Sequence, residues 1–141
     1  MKWKGPFTID ELLDGSVGSS LPELPESGGV YLISERIWDK ATTQACIPLY
    51  VGSNTGKSSR FRTRVGDLIA DMFGFFGADT GHHSGGQTVY DYCRKRQMSP
   101  KRLYIGWVEE CGCVRCVENE IYNQLKPSLN KNRPTRCTKH Q

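Results

Sequence analysis

No stretch of the 141-residue chain approaches the ~18–20 consecutive apolar residues that a membrane span requires, so no membrane partner is expected. The opening Met1-Lys2-Trp3-Lys4-Gly5-Pro6 lacks the apolar core of a signal peptide, which predicts a cytoplasmic protein. Cysteine is scarce: six residues are about 4% of the chain, below the ~8–10% of disulfide scaffolds. In a reducing compartment they stay as thiols. There is no internal repeat and no low-complexity tract. The length also excludes a second large domain, so specificity must come from loops and terminal segments.

What the chain does have is glycine and unevenly placed charge. Fifteen glycines are about 11% of the residues against a usual ~7%, which favours tight turns and close backbone approaches. The net charge of +4 hides a polarity: through Gly56 there are four Lys/Arg against seven Asp/Glu, and from Lys57 onward fifteen against eight. Fourteen of the nineteen cations fall in three clusters, around Lys57, Arg60, Arg62 and Arg64, around Arg94, Lys95, Arg96, Lys101 and Arg102, and from Lys126 to Lys139. Such clusters suit a polyphosphate backbone.

Periodicity predicts an α/β (α+β) fold. Thr8-Ile9-Asp10-Glu11 has the capping-box pattern, so a short helix starts there and stops before Gly15. Residues 16–29 read as a loop. Val30–Ile33 and Pro48–Val51 read as strands, with Tyr50 pointing opposite to Leu49 and Val51. Phe61, Val65, Leu68, Ile69 and Met72 form one apolar stripe of a helix capped by Ser58 or Ser59. A long loop containing His82 and His83 precedes a helix over Gln87–Gln97. Leu103–Val108 reads as a strand, and Val114–Lys126 as a helix with core positions Val114, Val117, Ile121 and Leu125. Residues 1–28 thus read as an N-terminal extension, 29–130 as the main domain and 131–141 as a basic tail.

Gly52-Ser53-Asn54-Thr55-Gly56-Lys57-Ser58 sits between a strand and a helix like a P-loop, but three residues separate its glycines where that motif needs four. A different constellation uses the segment better. Gly29-Val30-Tyr31 and Tyr50-Val51-Gly52 lie on adjacent strands, Arg60 follows Tyr50 by ten positions, and Glu118 precedes Asn130 by twelve. In order and spacing this resembles the GIY-YIG nuclease family, here spelled GVY and YVG, over residues 29–130. The resemblance implies a small three-stranded antiparallel sheet flanked by helices. It also implies a metal-dependent endonuclease that hydrolyses DNA, of restriction type or a structure-specific repair or mobile-element enzyme, and a homodimer cutting both strands fits this plan.

The residue types suit that chemistry. Glu118 is a hard oxygen ligand for one Mg²⁺ or Mn²⁺. Arg60 can donate in a bidentate manner to the scissile phosphate. The resemblance assigns the general base to Tyr31 and a water and phosphate anchor to Tyr50. A free phenol ionises near pH ~10, so cations must stabilise the phenolate. Arg64 stands where many members carry histidine; a histidine base would then come from His82 or His83. Asn130 orients neighbouring groups. Lys57, Arg62, Arg94, Lys95, Arg96, Lys131 and Arg133 are the candidate DNA contacts. A non-catalytic nucleic-acid-binding module with the same basic face is the competing reading.

Cys111, Cys113, Cys116 and Cys137 offer four thiolates to zinc, which would pin the tail onto the helix carrying Glu118. The C-x-C-x-x-C spacing is tighter than paired zinc knuckles. The reading preferred from sequence is therefore that Cys113 and Cys116 are small core residues and Cys137 is disordered.

Overall fold

The alternation of short strands with amphipathic helices produces a sheet covered on both faces. The computed structural model describes residues 2–14, 28–40, 43–44, 46–54, 61–75, 84–108 and 112–140, side chains excepted at 61–63, 84 and 140. In chain order these form β1 (Trp3–Thr8), α1 (Ile9–Asp14), β2 (Gly29–Ser34), β3 (Pro48–Asn54), α2 (Phe61–Met72) and α3 (Ser84–Lys95). A 3₁₀ turn (Pro100–Arg102), β4 (Tyr104–Val108), α4 (Val114–Leu125) and a second 3₁₀ turn (Thr138–His140) follow. Among the described residues no helix is long and apolar enough to cross a membrane.

The sheet has four strands where three were expected, ordered β1-β4-β2-β3 with every neighbouring pair antiparallel. The additional strand is β1, which pairs Trp3 with Val108 and Thr8 with Tyr104. Gly5-Pro6 makes this segment look like a turn in sequence, but β1 is an edge strand and the pair falls where its register shifts. Proline and glycine are tolerated at such a place. Gly5 has φ +90°, and a Cβ there would stand 2.9 Å from the Ile105 carbonyl oxygen, so glycine is needed. The chain then turns into α1 through the expected capping box: Glu11 N–H donates to Thr8 Oγ1 at 3.0 Å, and Thr8 N–H donates to Glu11 Oε1 at 3.2 Å.

Both faces of β2 are buried. Tyr31 and Ile33 pack with Ile105 and Trp107 beneath α1, α2 and α3, where Val65, Leu68, Ile69 and Met72 form the expected stripe. Val30, Leu32, Val51 and Val108 face α4, which contributes Ile121 from the same helix side as Val114, Val117 and Leu125. On β3 the expected alternation fails at one residue. Ile33 pairs with Tyr50 and Ser34 with Pro48, so Leu49 is an extra residue in a bulge. Leu49 and Tyr50 therefore both pack on the α2/α3 side, and only Val51 turns to the α4 side.

Helix α3 begins three residues before the expected Gln87 because Gly85 and Gly86 belong to its first turn. Added Cβ atoms would collide with the Tyr50 ring at Gly85 and, at 2.7 Å, with the Leu68 carbonyl oxygen at Gly86. The glycines that suggest a loop are what let this helix approach its neighbours. At the other end of the fold Lys126 closes α4 with φ 49° and an N–H to the Tyr122 carbonyl at 2.7 Å.

Candidate active site

Strand β3 is the edge of the sheet opposite β1, and the segment after α4 lies along it. Leu129 N–H donates to the Leu49 carbonyl at 2.8 Å, and Asn130 continues the ladder with its side chain, accepting from Val51 N–H and donating to Val51 C=O at 2.9 Å each. A cleft of about 260 Å³ opens beside this edge, lined by Tyr50, Gly85, Glu118, Asn130, Lys131 and Arg133. Because it wraps around an edge strand, side chains from opposite faces meet there. Tyr50 comes from the α3 side, and Glu118 from the α4 side beside Ser53.

Glu118 accepts from Ser53 Oγ at 2.8 Å. Its carboxyl titrates above the usual carboxylate range because burial penalises the charge, an effect that the Ser53 bond and Arg115 oppose. The two phenols are stacked at 6.1 Å between ring centroids. Each rests on a glycine: Tyr31 on its cross-strand partner Gly52, and Tyr50 on Gly85. Tyr31 is only 1% exposed, whereas Tyr50 lines the cleft. Burial pushes Tyr31 well above the ordinary phenol range, and the neighbouring Tyr50 and Glu118 push it further while Arg64 pulls it down. Tyr50 is raised by burial and by Glu118, and lowered by Arg64 and by its hydrogen bond with Tyr31. That hydrogen bond keeps the proton on Tyr31 and favours the phenolate on Tyr50. Both phenols hold their protons more tightly than a free phenol, Tyr31 the more so.

Arg64 acts on both phenols and on Asp67, whose carboxyl burial raises and Arg64 lowers. Arg60, Lys57, His82, His83 and Cys111 lie outside the described residues, as does the Arg62 side chain. Lys131 and Arg133 stand at the cleft, Arg133 Nη2 donating to Asn123 Oδ1 at 2.9 Å. Arg94 and Lys95 end α3 and Arg96 follows it, roughly 15 Å along the helix from Gly85 at ~1.5 Å per residue. Arg96 is engaged there, donating to Tyr92 Oη at 2.6 Å and lying 3.6 Å from Glu35 Oε1.

Cys137, expected to be disordered, is held in place by the tail that carries it. The tail runs antiparallel to α4, with Arg133 against Asn123, the Pro134 carbonyl accepting from Asn119 Nδ2 at 2.9 Å, and Thr135 Oγ1 accepting from Arg115 Nη2 at 3.3 Å. Cys137 then meets Cys113 at 3.4 Å and Cys116 at 3.6 Å. These three sulfurs lie within 4.8 Å of one another and are placed to hold a metal ion. Cys116 titrates down to about 6, first because the Cys137 backbone N–H donates to its sulfur. Ser53 and Asn119 are residues of this region that sequence reasoning missed. Asn119 and Asn123 follow Cys116 at helical spacing, a polar stripe that marks the docking face.

The chain matches no family model, no curated protein and no solved structure. A functional reading therefore rests on the site.

Proposed function

We propose that the cleft at the β3 edge is the active site of a metal-dependent endonuclease of GIY-YIG type that hydrolyses DNA phosphodiester bonds. One observation carries the reading: Tyr50, Glu118 and Asn130, far apart in sequence, line one cleft with Lys131 and Arg133. These are the positions that the family motif would require, together with two cations for a polyanion.

A divalent metal fits Glu118. The carboxylate is held at the cleft against a burial penalty, with Ser53 beside it, and Mg²⁺ is commonly bound by one or two carboxylates plus substrate phosphate and water. Bound there, Mg²⁺ or Mn²⁺ supplies charge neutralisation at the scissile phosphate. The rest is the chain's own work. Tyr50 lines the cleft and, with a bound cation offsetting the burial that raises it, would be the better placed phenol to take a proton from water. Tyr31 donates to Tyr50 from behind, and Arg64 favours the Tyr50 phenolate. Asn130 fixes Val51, and with it the direction of Tyr50. Lys131 and Arg133 hold flanking phosphates, and Arg94 and Lys95 meet the backbone several nucleotides away.

The binding-module reading is disfavoured by Glu118 itself, since a carboxylate among phosphate contacts weakens binding unless a cation sits on it. Supercoiled plasmid incubated with the protein and Mg²⁺ decides between them. Nicking by the wild type and none by Glu118→Ala is expected; equal nicking by both removes the mechanism. Salt-sensitive binding without cleavage of DNA or RNA supports the module.

A further inference from the structure

We propose that Cys113, Cys116 and Cys137 hold a zinc ion that fastens the C-terminal segment to α4. Sequence spacing alone is ambiguous because Cys111, Cys113 and Cys116 crowd together. The fold brings three of the sulfurs together: Cys113 caps α4, Cys116 follows in its first turn, and Cys137 arrives from a segment twenty-one residues further on. The ligands are thus the Cys113-x-x-Cys116 pair on α4 and Cys137 just ahead of the second 3₁₀ turn.

The sulfur geometry fits the metal. With Zn–S bonds of ~2.3 Å, tetrahedral ligands stand ~3.8 Å apart, close to the 3.4 and 3.6 Å from Cys137 to its two partners. A disulfide requires ~2.05 Å and would leave one of the three sulfurs over. Three thiols converging without metal would place three competing donors around one small volume; deprotonated and shared by a soft-accepting cation they are all satisfied, their protons passing to solvent. The other described cysteines, Cys46 and Cys93, lie buried in separate core clusters and do not join the group.

The consequence is architectural. The segment that the zinc would anchor carries Arg133 and Pro134 past the cleft, so the site holds one wall of it in place. This proposal does not depend on the nuclease reading. Full-length protein purified without chelator should contain one zinc per chain by elemental analysis. Replacement by Co²⁺ should give the absorption of a tetrahedral thiolate complex. Cys137→Ser should lose both signals, and Cys116→Ser should weaken zinc retention. If the variants fail to fold, titrating wild-type thiols with a mercurial should release zinc in step with modification, and chelation should speed tryptic cleavage at Arg136 and Lys139. Metal-free protein with no Co²⁺ spectrum, a Cys113–Cys137 disulfide in the native mass, or zinc retained in full by Cys137→Ser would overturn the assignment.

Discussion

Asn130 holds Val51 by both of its main-chain groups, Oδ1 accepting from the N–H and Nδ2 donating to the carbonyl, each at 2.9 Å. Val51 is fully buried, and these groups face away from β2 at the sheet edge. The amide stands in for a strand that is not there. Asn130→Ala leaves a buried donor and acceptor without this partner, at ~1–3 kcal/mol for each group that finds no water. Urea denaturation should therefore show a lower midpoint, and cleavage should fall as Tyr50 and Gly52 lose their fixed edge. Unchanged stability would mean that the clamp is ornamental.

The two phenols stand on glycines, which makes those glycines testable by one methyl group. Gly52→Ala drives a Cβ into the Tyr31 hydroxyl, and Gly85→Ala into the Tyr50 ring. Each should cost ~1–3 kcal/mol through overpacking and should displace its tyrosine. Gly66 on α2 has open space where its Cβ would go, so Gly66→Ala should stabilise by roughly 0.5–1 kcal/mol. Thermal melts of the three variants give opposite signs if the packing is as described.

Glu118 links activity and stability with opposite signs. Its folded-state titration point is raised, chiefly by burial, so the folded protein holds that proton more tightly than the unfolded chain. Its contribution is then favourable below the ordinary carboxylate range and is lost as pH rises through the raised value. Glu118→Gln keeps an acceptor for Ser53 and removes the charge. The variant should gain stability relative to wild type between acid and neutral pH, while cleavage falls by ~10²-fold or more. Melts across that window alongside a plasmid assay measure both.

Much of the fold was legible because its signals are local. The capping box at Thr8 and Glu11, the stripe from Val65 to Met72, and the strands around Tyr31 and Tyr50 depend on neighbours in sequence. What escaped depends on partners far away. β1 is hidden by Gly5-Pro6, which is acceptable only because the strand is at an edge. The start of α3 is hidden by glycines whose purpose is contact with Tyr50 and Leu68. Motif order and spacing marked Tyr50, Glu118 and Asn130, but the bulge at Leu49 and the docking of residues 133–137 on α4 have no sequence signature of comparable strength. Both decide what reaches the cleft.

The division of labour between the phenols can be separated by removing one oxygen at a time. Tyr50 lines the cleft and Tyr31 does not, so Tyr50→Phe should lower cleavage by ~10²–10⁴-fold, the range for loss of a proton acceptor. Tyr31→Phe should cost less. Its hydrogen bond lowers the Tyr50 titration point, so its loss should raise that point and move the alkaline rise of the pH–rate profile to higher pH. A purely structural Tyr31 would change the amplitude of the profile and leave its position fixed. Should Tyr31→Phe instead abolish cleavage while Tyr50→Phe retains it, the base is Tyr31 and the cleft must rearrange to admit it when DNA binds.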